Sequence, residues 1–173
     1  MGPKLFLLYL YDVDSILPRD CSGYFYCDDG TVAVSGRNDC VLNSKCQLVL
    51  DNLNYWFAEH SLYLNAEETQ IIRFHCYQNR VSQLDVDLDG VDVPGGGAVR
   101  FLGVTMDETL DWKEHCRNLI SKLHSVAYQF RNLKQVLNEK DLVAIYYANC
   151  ESRLRYGVGL WGWSPSSGDV FLA

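Results

Sequence analysis

Two β-prone runs close tightly around a pair of adjacent aspartates. Tyr24-Phe25-Tyr26-Cys27 is followed by Asp28-Asp29-Gly30, and then by the branched run Thr31-Val32-Ala33-Val34-Ser35. Strand-formers on both sides of an Asp/Gly break predict a β-hairpin. Asp28 and Asp29 should then sit exposed at or beside its tip. Like charges at about 4 Å repel by about 1 kcal/mol in bulk water, and by more in a drier cleft. A divalent cation would relieve that repulsion. A solvated turn would also tolerate it, because turns favour Asp on their own account.

The rest of the chain supplies helices for such a hairpin to pack on. Leu42, Cys46, Val49, Leu53, Trp56 and Phe57 recur at helical steps behind Asp39, a candidate cap. Trp112, Cys116, Leu119, Leu123, Ala127, Phe130 and Leu133 do the same behind Thr109 or Asp111. A further helix is expected over about 139–155. Pro3 suits the first turn of a short buried helix at the start of the chain. Val99 to Val104 reads as one more strand. The order is helix, hairpin, helix, strands, helices, which predicts an α+β fold.

Composition excludes several classes. With 173 residues, 48% hydrophobic and 21% charged, the chain is neither a disordered tail nor a coiled coil. Net charge is −7, which does not advertise a nucleic-acid binder. The total hides an asymmetry, however. Residues 1–112 carry 7 Lys and Arg against 17 Asp and Glu, whereas residues 113–173 carry 8 against 5. Partner contact at the basic end is the expectation.

The seven cysteines are odd in number and contain no C-x-x-C, so neither a disulfide framework nor a zinc ribbon follows. Buried free thiols in a reducing, intracellular compartment are expected. The apolar run 5–11 is followed by Asp12 and Asp14, where a signal peptide needs small neutral residues. No run reaches the length of a membrane span.

Asp85-Val86-Asp87-Leu88-Asp89-Gly90 opens like a calcium loop. Its twelfth position is Gly96 rather than a bidentate Glu, and Pro94 interrupts the exit. Strict alternation favours a strand with one acidic and one apolar face, turning at Asp89-Gly90.

Several segments, in order, resemble the reverse transcriptases of non-LTR retrotransposons of the jockey type. Gly2-Pro3-Lys4-Leu5-Phe6-Leu7-Leu8-Tyr9 resembles the close of motif B. Tyr26-Cys27-Asp28-Asp29 resembles motif C. Trp56-Phe57, Leu62-Tyr63-Leu64-Asn65 and Thr69 resemble motif D, and Phe101-Leu102-Gly103-Val104 resembles motif E. Leu110-Asp111-Trp112-Lys113-Glu114-His115 resembles the start of the thumb, with Tyr156-Gly157 and Trp161-Gly162 further along it.

The resemblance implies a partial polymerase palm over 1–106 and a helical thumb segment over 107–173. It implies two Mg2+ ions held by carboxylates, Asp28 the firmer ligand and Asp29 the second, in nucleotidyl transfer. Tyr26, Phe101, Leu102 and Gly103 would lie near the primer end. Lys113, Arg117 and Lys122 would touch the phosphates of an RNA template paired with a DNA primer. A sheet aromatic, an ordinary strand and a solvated face are the plain alternatives for these three groups.

The departures count as well. The chain opens inside motif B, so the fingers and the motif A carboxylate are missing from it. Asp12 and Asp14 follow the motif B helix, where the family places an Asp outside the metal site. Glu68 precedes Thr69 where the family carries Lys, a cationic proton donor that an acid cannot replace. Cys27 stands for a usual Ala, and Gly30 for a usual Thr. The expectation is a fragment of an RNA-directed DNA polymerase, inactive alone, and nuclear if it works as a retroelement protein. The alternative is a non-catalytic remnant that serves as an interaction module.

Overall fold

A computed structural model describes residues 2–27, 29–76 and 84–172. It is an α+β protein of helices and small antiparallel sheets. Its strands form three separate two-stranded hairpins among the described residues. The chain divides into two compact units: residues 1–73 with 79–96, and residues 74–78 with 97–173.

In the first unit, helix α1 (Gly2–Tyr9) leads through a 3-10 turn at Val13–Ile16 to strands β1 (Ser22–Tyr26) and β2 (Asp29–Ala33). Helix α2 (Asp39–Glu59) follows. Its cap is Asn38, whose side chain accepts from the Val41 N–H at 2.9 Å, and Asp39 is already inside the helix. Leu10, Val13, Val49, Leu53 and Trp56 form the core. Phe25 and Val32 lay the hairpin against it.

Helix α1 is less buried than its sequence predicts. Phe6 packs on the core, but Leu5 is 61% and Leu8 69% exposed. With one short turn touching the core, the other apolar positions point away from it.

The acidic segment is a strand docked on α2. Strands β3 (Asp87–Leu88) and β4 (Val91–Asp92) pair across Asp89-Gly90, both with positive φ. Val86, Leu88 and Val93 are buried. Gln47 exchanges two hydrogen bonds with the Asp87 backbone, donating to its carbonyl at 2.9 Å and accepting from its N–H at 3.0 Å. Asn54 donates to the Asp89 carboxylate at 2.8 Å. The acidic side chains thus decorate a strand instead of converging as calcium ligands do. The alternating residues Leu62-Tyr63-Leu64 and the β-prone stretch 70–76 form no regular strand. Leu62 and Leu64 pack on the core from a loop, Ile71 makes one bridge to Gly95, and Tyr77 lies outside the described residues.

In the second unit, strands β5 (Ala98–Phe101) and β6 (Val104–Asp107) precede helix α3 (Lys113–Leu133). Helix α4 (Glu139–Tyr146) runs through a π-helical stretch, Tyr147–Glu151, into α5 (Ser152–Arg155). The short helices α6 (Val158–Trp161) and α7 (Ser167–Leu172) end the unit. Val104, Trp112, Cys116, Leu119, Trp161 and Val170 make its core, with Trp161 fully buried.

The seven thiols are free but not uniformly buried: Cys116 is buried, while Cys40 and Cys76 are exposed. No helix among the described residues is long and apolar enough to cross a membrane.

Candidate nucleic-acid and metal-binding elements

The β1–β2 hairpin is tighter than its sequence predicts. Tyr26 pairs with Asp29 and Phe25 with Gly30, so Asp29 and Gly30 belong to the strand rather than to the turn. Gly30 is exposed in the strand, with the Phe25 ring beside it. A Cβ on Gly30 would stand 3.1 Å from that ring. Cys27 adopts a φ of 53°, a left-handed backbone that side chains other than Gly, Asn and Asp adopt at a cost. Asp28 lies outside the described residues.

Pleating assigns the faces. Directly opposed residues of an antiparallel pair share a side, so Tyr24, Tyr26, Asp29 and Thr31 lie on one face and Phe25 on the other. Tyr24 and Tyr26 are 62% and 64% exposed, and Asp29 is exposed beside them. Lys45 on α2 fixes the base of the hairpin. It pairs with Asp20 before β1 and donates to the Ser35 carbonyl after β2 at 3.0 Å. The Lys45 ammonium beside Asp20 holds that carboxyl below its ordinary pKa.

Asp14 does not complete a site with Asp29. A Cβ on Gly23 would meet Asp14 Oδ1 at 2.5 Å, together with Phe25 and Leu17. Gly23 is three residues from Tyr26 along β1, which puts that Cβ direction on the Phe25 face. Asp14 and Asp29 therefore occupy opposite faces. Among the described residues no three His, Cys, Asp or Glu side chains gather as a metal would require. Of the two hairpin carboxylates, the described one, Asp29, lies on the solvent face.

Phe101, Leu102 and Gly103 lie at a reversal of the chain and not along one strand. Phe101 pairs with Val104, and the two residues between them have φ of 44° and 84°. Gly103 suits such a turn, whereas Leu102 is an uncommon occupant. The Tyr156 hydroxyl donates to the Leu102 carbonyl oxygen.

Asp107, at the end of β6, sets the entry of α3. Neither Thr109 nor Asp111 caps this helix. Trp112 is the residue before it, with φ of 62° and no side-chain cap. Asp107 accepts instead from the N–H groups of Thr109, Asp111 and Trp112 at 3.2, 2.7 and 2.6 Å.

Helix α3 does not bring its three candidate basic residues to one side. At about 100° per residue, Lys113 and Arg117 are neighbours, and Lys122 falls roughly 180° from Lys113. The buried stripe of Cys116, Leu119 and Val126 runs between those two edges. Arg131 and His124 fall on the Lys113–Arg117 edge, and both are exposed. A helical projection of the sequence would have found this edge; a simple count of charges does not. Lys113 pairs with Asp111 at 2.7 Å, and Arg117 with Glu114 at 2.5 Å. The Arg117–Glu114 pair is exposed and of a kind worth about 0–1 kcal/mol, whereas Asp111 is only 16% exposed beneath the Lys113 ammonium. Burial lowers the His115 pKa, and the nearby Lys122 charge lowers it further.

Comparison with known proteins gives a consistent origin. The chain is 24% identical over 177 residues to the RNA-directed DNA polymerase from mobile element jockey of Drosophila melanogaster. It is 22% identical over 171 residues to the probable RNA-directed DNA polymerase from transposon X-element of the same species. The matches cover 96% and 94% of this chain but only 19% and 18% of the two relatives. No protein-family model matches. No solved structure matches. Across nearly its whole length, the chain is a distant relative of the RNA-directed DNA polymerases of non-LTR mobile elements, and it spans about a fifth of their length.

Proposed function

We propose that these 173 residues are the palm-to-thumb part of a retroelement reverse transcriptase, acting on an RNA template and a DNA primer in the nucleus. The observation that carries this reading is the pairing of Tyr26 with Asp29 on the exposed face of a tight hairpin. It lies within a chain that matches two such polymerases over 96% and 94% of its own residues. Asp28 and Asp29 would be the hairpin's ligands for Mg2+, with further carboxylates supplied from outside these residues. The Leu102–Gly103 turn, with Phe101 behind it, would meet the primer. The Lys113–Arg117 edge would follow the duplex phosphates. Bound Mg2+ would supply charge stabilisation for nucleotidyl transfer. The chain's own residues present the carboxylates and hold the turn and the basic helix.

These residues alone should not polymerise DNA. Magnesium demands near-octahedral oxygen ligation, and one hairpin falls short of it. The exposed Leu5, Leu8 and Tyr11 favour a second reading, a remnant that works by association through α1 and the turn after it.

The test is a Mn2+ titration by electron paramagnetic resonance, run beside a primer-extension assay. Weak binding that is lost in Asp28→Asn and in Asp29→Asn, with no extension, is expected. Binding indifferent to both substitutions would remove the metal role. Robust extension would mean that the site is complete within the chain.

A further inference from the structure

Tyr156 closes helix α5 and is held from behind. Its carbonyl accepts from Trp161 Nε1 at 3.1 Å, and Trp161 is fully buried. From that anchor the side chain reaches the β5–β6 turn. The hydroxyl bonds the Leu102 carbonyl, and the ring lies 3.5 Å from where a Cβ on Gly103 would stand. The next residue, Gly157, has φ of 64°, and a Cβ there would come within 3.3 Å of Val104 Cγ2. The chain after α5 therefore bears on both sides of the turn.

This arrangement contributes little to burial, since Tyr156 is 54% exposed. Leu102 occupies a left-handed position that Asn or Gly would fill more readily, so the turn does not hold its shape through local preference. A tether from a buried tryptophan through Tyr156 supplies the constraint.

We infer that Tyr156 is a positioning residue: it holds the Leu102–Gly103 turn at a fixed place for contact with an RNA–DNA duplex. This rests on the reading that the turn meets nucleic acid.

The experiment compares the 173-residue chain with Tyr156→Phe, which keeps the ring and removes the hydroxyl. Three quantities are measured where both proteins are fully folded: amide exchange at Val104, the thermal midpoint, and affinity for an RNA–DNA duplex at fixed salt. Loss of the hydroxyl should speed Val104 exchange and weaken duplex binding, each by roughly two- to tenfold, the range one hydrogen bond controls. The midpoint should stay close to that of the parent. Unchanged Val104 exchange, or a parent chain that binds while Tyr156→Phe binds equally tightly, would overturn the inference alone. A parent chain that binds no duplex would overturn the reading beneath it, and the inference with it.

Discussion

Asp107 Oδ2 accepts a hydrogen bond from the Trp112 N–H at 2.6 Å, so the last residue of a β-hairpin fixes the first turn of the basic helix. The other oxygen takes the N–H groups of Thr109 and Asp111 and the Thr109 hydroxyl. Three N–H groups of the helix entry thus converge on one carboxylate. Trp112 can then adopt its left-handed backbone while its ring stays buried.

Asp107→Ala should therefore destabilise the fold by roughly 2–3 kcal/mol, the loss of charged hydrogen bonds to several backbone donors. Chemical denaturation of the two proteins measures this. A change under about 0.5 kcal/mol would mean that the Lys113–Leu133 helix holds its entry without the carboxylate.

His115 should make stability fall in mild acid. Its Nδ1 accepts from the Thr105 N–H at 3.4 Å, which a protonated ring cannot do. Burial first, and then Lys122, push its pKa below the ordinary 6.5. The unfolded chain therefore takes up a proton before the folded chain does. The contribution is complete above about pH 6.5, the unfolded value, and is lost as pH falls through it toward the lower folded value. Denaturation midpoints between pH 8 and pH 5 should drop, and the drop should be smaller in His115→Gln. An equal drop in both would assign the dependence to other groups.

The cysteines should differ in reactivity. Cys40 and Cys76 are exposed, whereas Cys116 is buried and its thiol is pushed up mainly by that burial. Brief alkylation at mildly alkaline pH, read by mass spectrometry, should modify Cys40 and Cys76 first and Cys116 last. Early modification of Cys116 would contradict the placement of α3 over its core.

Much of the fold was legible in the sequence because periodicity tracks burial. The stripe Val49, Leu53, Trp56 and the stripe Cys116, Leu119 both face cores as their spacing predicts. The Asp89-Gly90 turn follows from its residue types. Other features depended on partners that local reading does not see. Gly30 lies in a strand because it pairs with Phe25 across the hairpin, although its residue type favours a turn. Leu102 turns the chain although it is a poor turn residue, with Tyr156 bonded to its carbonyl. The caps were misplaced by one residue at Asn38, and by several at Asp107, because hydrogen-bond geometry rather than residue type selects the acceptor. At the candidate site, the sequence identified Tyr26 and Asp29 as neighbours of a tip. The shared face and the exclusion of Asp14 from it required the strand register.

That this palm-to-thumb segment acts on an RNA template paired with a DNA primer, with one edge of α3 along the duplex, is tested most directly by the salt dependence of RNA–DNA duplex binding. Each lost phosphate contact should flatten the log–log slope by roughly one unit. Removing charge at Lys113, Arg117 and Arg131 together should weaken binding and flatten the slope by about two to three units, with Lys122→Gln changing it by less than about one. A slope unchanged in the triple variant, or one that responds only to Lys122, would contradict the account.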